Sequence, residues 1–121
     1  MMGVDYGNAA LSAARLVISK GHEDSANLRE LLIWTTVTPT NAIVDEYFSQ
    51  HHEDGALLMT LIDIALEGED MGDAPWAAAN TIAEFPIHML QEHVAALVNL
   101  SKHEWTYLKH PALKALSKLS V

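Results

Sequence analysis

The chain has 121 residues, no cysteine and a formal net charge of −9 at pH 7. A chain of this length can bury its own core, so we expect one domain over residues 1–121. Without cysteine, disulfides and thiolate metal sites are excluded, which fits a reducing compartment. The start of the chain lacks a signal-peptide pattern, and no apolar stretch reaches the length of a membrane span. We therefore expect a cytoplasmic protein that does not bind membranes.

Charge is unevenly distributed along the chain. Seven basic residues stand against sixteen acidic ones. None of the basic residues lies between Glu30 and Ser101, whereas twelve Asp and Glu do. Such an acidic segment repels phosphate backbones and attracts positive charge, so we expect a basic protein partner and no nucleic acid. The alternative is that the acidic residues only keep a small protein soluble.

Apolar residues recur at helical spacing through the first half of the chain. Gly21 follows the first helical run and Ser25 is a suitable N-cap for the second, which ends before Pro39. Thr40 or Asn41 then caps a third helix. The predicted helices of this half cover Asn8 to Lys20, Ser25 to the Thr35–Pro39 run, Asn41 to Phe48, and about Asp54 to Leu66.

Three further helices are predicted in the second half. A polar loop from Glu67 to Asp73 leads to the fifth helix, which Asp73 caps and Pro86 ends. The sixth helix follows directly, and such short connections make neighbouring helices antiparallel. The seventh begins near Lys102, and Pro111 is expected to kink it or split it.

The helices of the second half repeat at a fixed offset. A shift of 34 residues superimposes the apolar positions of the fifth and seventh helices, and a shift of 33 superimposes those of the fourth and sixth. The superimposed positions are Ala78, Ile82 and Phe85 over Ala112, Leu116 and Leu119, and Leu57, Leu61, Ile64 and Ala65 over Leu90, Val94, Leu97 and Val98. A period of this length is typical of helical solenoids, so the sequence predicts an all-α fold of antiparallel helix pairs.

The same positions resemble HEAT or armadillo-type repeats. Asp73 followed by three alanines, Ala77 to Ala79, is similar to the second helix of a HEAT unit, and residues 108–116 supply a second copy. The first copy lacks the usual arginine, and the second has Pro111 where a small residue is usual. The resemblance implies a short right-handed solenoid of about seven helices, whose second helices line a concave surface that binds other proteins.

A second resemblance concerns overall character. Small, acidic, cysteine-free helical domains are similar to the immunity proteins of contact-dependent inhibition and other polymorphic toxin systems. This resemblance implies direct binding to a cognate toxin domain, often a basic nuclease, through an acidic surface. The alternative is a HEAT-like scaffold or oligomerisation module with no inhibitory role.

Six residues are predicted to bind the partner. Four are acids in or beside the polar loop, and two are aromatic residues at the edge of the apolar stripes, where interface anchors are common. Trp105 is instead expected in the core. Asp73 could serve only as a helix cap, and Glu67 could simply end the fourth helix. The predicted binding residues are Glu67, Glu69, Asp70, Asp73, Trp76 and Tyr107.

Catalysis, metals and cofactors are not expected. The chain contains no GxSxG, Gly-rich phosphate loop or CxxC motif. His51, His52, Glu53 and Asp54 are adjacent in sequence, and side chains of adjacent residues point apart, so they cannot converge on one ion by themselves. His88 and His93 have the wrong spacing for a helical zinc pair. We predict a non-enzymatic protein with no metal, no cofactor and no small-molecule ligand.

Overall fold

The computed structural model describes residues 6–67 and 73–119. Helices α6 (Ile87–Leu90) and α7 (Val94–Ser101) are joined by a 3₁₀ turn, Gln91–His93, and form one interrupted unit, so the described residues contain seven helical units and no strand. The predicted all-α class is confirmed. No helix in these two ranges is long and apolar enough to cross a membrane. The helices are α1 Tyr6–Ser19, α2 Ser25–Trp34, α3 Asn41–Ser49, α4 Gly55–Leu66, α5 Asp73–Ala83, α6 Ile87–Leu90, α7 Val94–Ser101 and α8 Thr106–Leu119.

Helix α5 lies at the centre of the packing. It contacts α4, α8 and α2, and α4 also contacts α7, the helix that pairs with α8. The pairs α4–α5 and α7–α8 are therefore neighbours, with α5 against α8 and α4 against α7. This arrangement matches the sequence offsets of 33 and 34 residues and is compatible with a helical repeat fold. The right-handed sense of the stack stays a prediction.

One hydrophobic core holds the helices together. Phe48 of α3, Leu61 of α4 and Leu97 of α7 are almost fully buried in it, together with Phe85 just after α5. Ala77, Ala78 and Ala79 are also buried, because only small side chains allow α5 to be surrounded closely by three neighbours.

One predicted helix cap is placed differently, and a second stands at its predicted position but forms no cap hydrogen bond. The N-cap of α2 is Asp24, whose carboxylate accepts from the Ala26 N–H, so the prediction of Ser25 was wrong by one residue. Thr40 occupies the cap position of α3 but makes no cap bond. Its buried hydroxyl instead contacts the carbonyl oxygens of Trp34 and Val37, which stabilises the α2–α3 connection.

Two predicted helices also differ in continuity. The sixth is interrupted where His93 leaves helical geometry, with φ −126° and ψ 25°. The seventh is not split, because α8 runs through Pro111. The proline ring is buried, so its packing offsets the backbone hydrogen bond that proline cannot make.

Candidate functional site

A cleft of about 490 Å³ lies between the C-terminal end of α2, helix α3 and helix α5. We call it the Trp76 cleft. Its lining combines carboxylates, hydroxyls, an imidazole and two large aromatic rings, which is a mixture suited to binding a polar group. The lining residues are Thr35, Thr36, Asp45, Phe48, Ser49, His52, Trp76, Ala77, Asn80, Thr81 and Glu84.

The spacing of residues on α5 forms one wall of the cleft. Trp76 and Asn80 are four residues apart and lie on one face of α5, and Glu84 lines the same cleft from the turn directly after the helix. The remaining faces of α5 are occupied by buried small and apolar residues. On the other wall, Asp45 and Ser49 are one turn apart on α3. The cleft therefore follows from two polar helix faces opposing each other.

The charged groups of the cleft differ in how they are compensated. The Glu84 carboxylate accepts a hydrogen bond of 2.5 Å from Lys114, which lowers the pKa of Glu84. Asp45 makes no ion pair with any described residue. Desolvation raises the pKa of Asp45, and the neighbouring Glu84 charge raises it further. Desolvation is also the main cause that lowers the pKa of His52, which disfavours the charged imidazolium.

An aromatic cluster extends from the rim of the cleft onto α8. The Trp76 and Tyr107 ring centroids are 5.3 Å apart, and Tyr107 is 5.6 Å from Trp105. Tyr107 is 55% exposed, whereas Trp76 and Trp105 are half-buried. Trp105 packs against the core, although less completely than predicted. The structure thus brings together the two aromatic residues predicted to bind a partner, while that role stays a prediction.

The predicted acidic residues lie at the α4–α5 connection. Glu67 is the C-cap of α4, and its carboxylate accepts bonds of 2.8 and 2.6 Å from Arg29. Glu67 therefore already has a counter-ion. Asp73 is the first residue of α5 and is exposed. Glu69 and Asp70 lie outside the described residues.

A second cluster connects a phenol, an imidazole and a carboxylate. His22 Nδ1 lies 2.6 Å from the Tyr47 hydroxyl, and His22 Nε2 lies 2.8 Å from Asp54 Oδ2. Such a chain resembles a nucleophile–base–acid series in outline. However, burial and nearby acids raise the pKa of Tyr47, which disfavours the phenolate, and Asp54 caps α4 through the Leu57 N–H. The cluster ties the α1–α2 connection to α3 and α4, which is a structural role.

Sequence reasoning missed Asp45, His52, Asn80 and Glu84 as cleft residues. A usable signal existed along α5 and the turn after it, where Trp76, Asn80 and Glu84 recur every four residues among mostly small and apolar residues. The opposing wall had no comparable signal, because the pairing of α3 with α5 across the cleft depends on the tertiary fold. Within the two described ranges, no group of three or more His, Asp or Glu side chains could hold a metal ion.

Comparisons with protein-family models, with curated proteins and with solved structures gave no match.

Proposed function

We propose that this chain is an immunity protein that neutralises a cognate toxin domain by binding it directly. The partner is a basic protein, and a nuclease domain is the toxin class that best fits an acidic inhibitor. The binding surface contains the exposed Tyr107, the adjacent Trp76 and the carboxylates of the Trp76 cleft and of the α4–α5 connection.

The contact between the exposed Tyr107 and the half-buried Trp76, at a cleft that also contains an unpaired carboxylate, carries this proposal. Tryptophan and tyrosine are the residues that most often dominate binding energy at protein interfaces. Tyr107 is exposed although its ring contacts two other aromatic side chains. Asp45, which lines the same cleft as Trp76, forms no ion pair with any described residue. A partner with an apolar pocket and basic residues would satisfy both groups at once.

Several other carboxylates favour a basic partner. Ion pairs with Arg29 and Lys114 compensate Glu67 and Glu84, and His22 and His88 contact Asp54 and Glu53. The remaining described acids between residues 30 and 101 have no ion pair within the described ranges. They are Glu30, Asp45, Glu46, Asp63, Asp73 and Glu92.

Co-expression with the protein encoded immediately upstream of this chain tests the proposal. We expect a stable complex, and protection of cells that express that protein. Trp76→Ala and Tyr107→Ala should each raise the Kd at least about tenfold, since truncating an aromatic anchor typically costs 2 kcal/mol or more. Met59→Ala removes a side chain that is 58% exposed on α4 and is the matched control. Circular dichroism of each variant checks that the helices remain.

Two results would contradict the proposal. If the neighbouring gene product neither binds nor is toxic, the immunity function is excluded. If the chain instead self-associates through Trp76 and Tyr107, as measured by analytical ultracentrifugation of the wild type and both variants, the scaffold or oligomerisation alternative replaces it.

A further inference from the structure

The hydroxyl groups of the Trp76 cleft present only acceptor atoms to it. Each hydroxyl carries a single proton. All four hydroxyl-bearing residues that line the cleft donate this proton to a backbone carbonyl of their own helical turn. Only the lone pairs of the hydroxyl oxygens therefore remain to accept hydrogen bonds from a ligand. The four bonds are Thr35 Oγ1 to Leu32 O and Thr36 Oγ1 to Ile33 O, both 2.6 Å, Ser49 Oγ to Glu46 O, 2.8 Å, and Thr81 Oγ1 to Ala77 O, 2.9 Å.

The other polar groups of the cleft add mainly acceptors, although Asn80, His52 and Trp76 each also carry an N–H donor. One Asn80 N–H donates to the Trp76 carbonyl at 3.2 Å, so the Asn80 amide oxygen remains available to accept. Glu84 binds Lys114 through Oε2, and its other oxygen accepts no hydrogen bond from a described residue. No described residue donates a hydrogen bond to the Asp45 carboxylate either. No Lys or Arg is among the residues that line the cleft.

Since acceptors and carboxylates outnumber the donors of this lining, a ligand that donates several hydrogen bonds and carries positive charge matches it best. Lysine and arginine side chains are donors without acceptors. Of the two, the guanidinium has five N–H groups in a plane, forms paired bonds with a carboxylate and stacks on an aromatic face. The cleft provides a carboxylate at Asp45 and an indole at Trp76. Arginine therefore fits the cleft better than lysine does.

We propose that the Trp76 cleft binds an arginine side chain of the partner protein. Its guanidinium lies against the Trp76 indole and donates hydrogen bonds to the Asp45 carboxylate and to the surrounding hydroxyl oxygens. That the arginine belongs to a partner protein rests on the proposed function, whereas the affinity of the cleft for a guanidinium does not depend on that function.

An NMR titration of the full chain with N-acetyl-arginine amide tests the inference. We expect saturable shifts of the Trp76 indole N–H and the Asn80 side-chain amide. N-acetyl-citrulline amide has nearly the same shape without the charge, and N-acetyl-lysine amide, with its side-chain amine free, has the charge without the planar fork. Each should bind at least about fivefold more weakly than the arginine probe.

Substitution of the carboxylate locates the interaction. Asp45→Asn should raise the Kd of the arginine probe about tenfold, because it removes a charge-assisted hydrogen bond. Asp63→Asn is the matched control, since Asp63 is an exposed acid on α4 that does not line the cleft. Both positions are exposed, and unchanged amide spectra away from the substitution confirm that the variants fold.

Several outcomes would overturn the inference. These are the absence of saturable shifts at Trp76, equal affinity for the citrulline or lysine probe, and an Asp45→Asn variant that binds as the wild type does. If one of these results is obtained but the chain still binds a neighbouring toxin, the proposed function stands and the cleft does not bind an arginine. Conversely, arginine binding without a basic partner protein removes the proposed function and keeps the cleft.

Discussion

Asp54 shows how one side chain can join distant parts of the chain. One carboxylate oxygen accepts the Leu57 N–H at the start of α4, and the other contacts His22, 32 residues earlier in sequence. These bonds lower the pKa of Asp54 below its ordinary 3.8, the Leu57 backbone bond being the largest cause. The charged form is thus stabilised more in the folded than in the unfolded chain.

The lowered pKa predicts a loss of stability in acid. Since the folded state releases the Asp54 proton more readily, the stabilisation is complete above the unfolded value near 3.8 and disappears as pH falls through the lower folded value. Asp54→Asn keeps an N-cap residue but removes the charge, so its unfolding free energy should depend less on pH than that of the wild type. The difference should be about 1 kcal/mol or less, because the side chain is 35% exposed.

Urea unfolding between pH 6 and pH 2.5 measures this effect. Asp63→Asn removes an exposed acid of the same helix and should follow the wild-type profile. A wild type and an Asp54→Asn variant that lose stability in parallel would show that Asp54 contributes nothing to the acid transition.

At the scale of elements, α5 depends on small residues. Ala78 is fully buried on α5, the helix that packs against α2, α4 and α8. Ala78→Leu inserts extra carbon atoms into a closely packed contact, and overpacking of this kind costs about 1–3 kcal/mol. Ala95→Leu makes the same change at an exposed position of α7 and should alter stability by no more than about 0.5 kcal/mol. Thermal denaturation of the two variants compares them directly, and equal melting temperatures would contradict close packing around α5.

The sequence predicts helices better than it predicts their contacts. Apolar spacing located every main helix, because each helix buries one stripe whatever its partner is. It did not predict the break at His93 or the continuity of α8 through Pro111. Both depend on tertiary packing, which overrides local preference.

The candidate site shows the same limit. Trp76 and Tyr107 were predicted separately from their edge positions, whereas their contact across α5 and α8 requires the fold. The pairing of Glu67 with Arg29 was also not predicted, because it joins residues 38 positions apart. Local patterns identify candidate side chains, and only the packed helices decide which of them face one another.

At the scale of the whole molecule, folding compensates part of the acidic segment with basic residues from both flanks. Arg29 binds Glu67, Lys114 binds Glu84, and Lys118 donates to the carbonyl oxygens of Ala83 and Phe85 at the end of α5. The net charge of −9 remains, so the molecule still produces an acidic field. We expect this field to steer a basic partner, whereas the aromatic cluster sets the lifetime of the complex.

Reversing three acids of the α4–α5 connection tests the steering. In the variant Glu67→Lys, Glu69→Lys and Asp70→Lys, the association rate constant with the basic partner at low salt should fall about tenfold or more, because steered association depends on the local field. The dissociation rate should change less. The effect should shrink as salt rises, since the screening length falls to roughly 3 Å at 1 M. A matched triple variant, Glu23→Lys, Glu92→Lys and Glu104→Lys, changes the net charge equally at exposed positions outside the α4–α5 connection. Stopped-flow association of both variants separates a local from a global effect. An equal fall of the association rate in both variants would assign the steering to net charge alone. A wild-type association rate in the variant of the α4–α5 connection would show that this connection is not part of the binding surface.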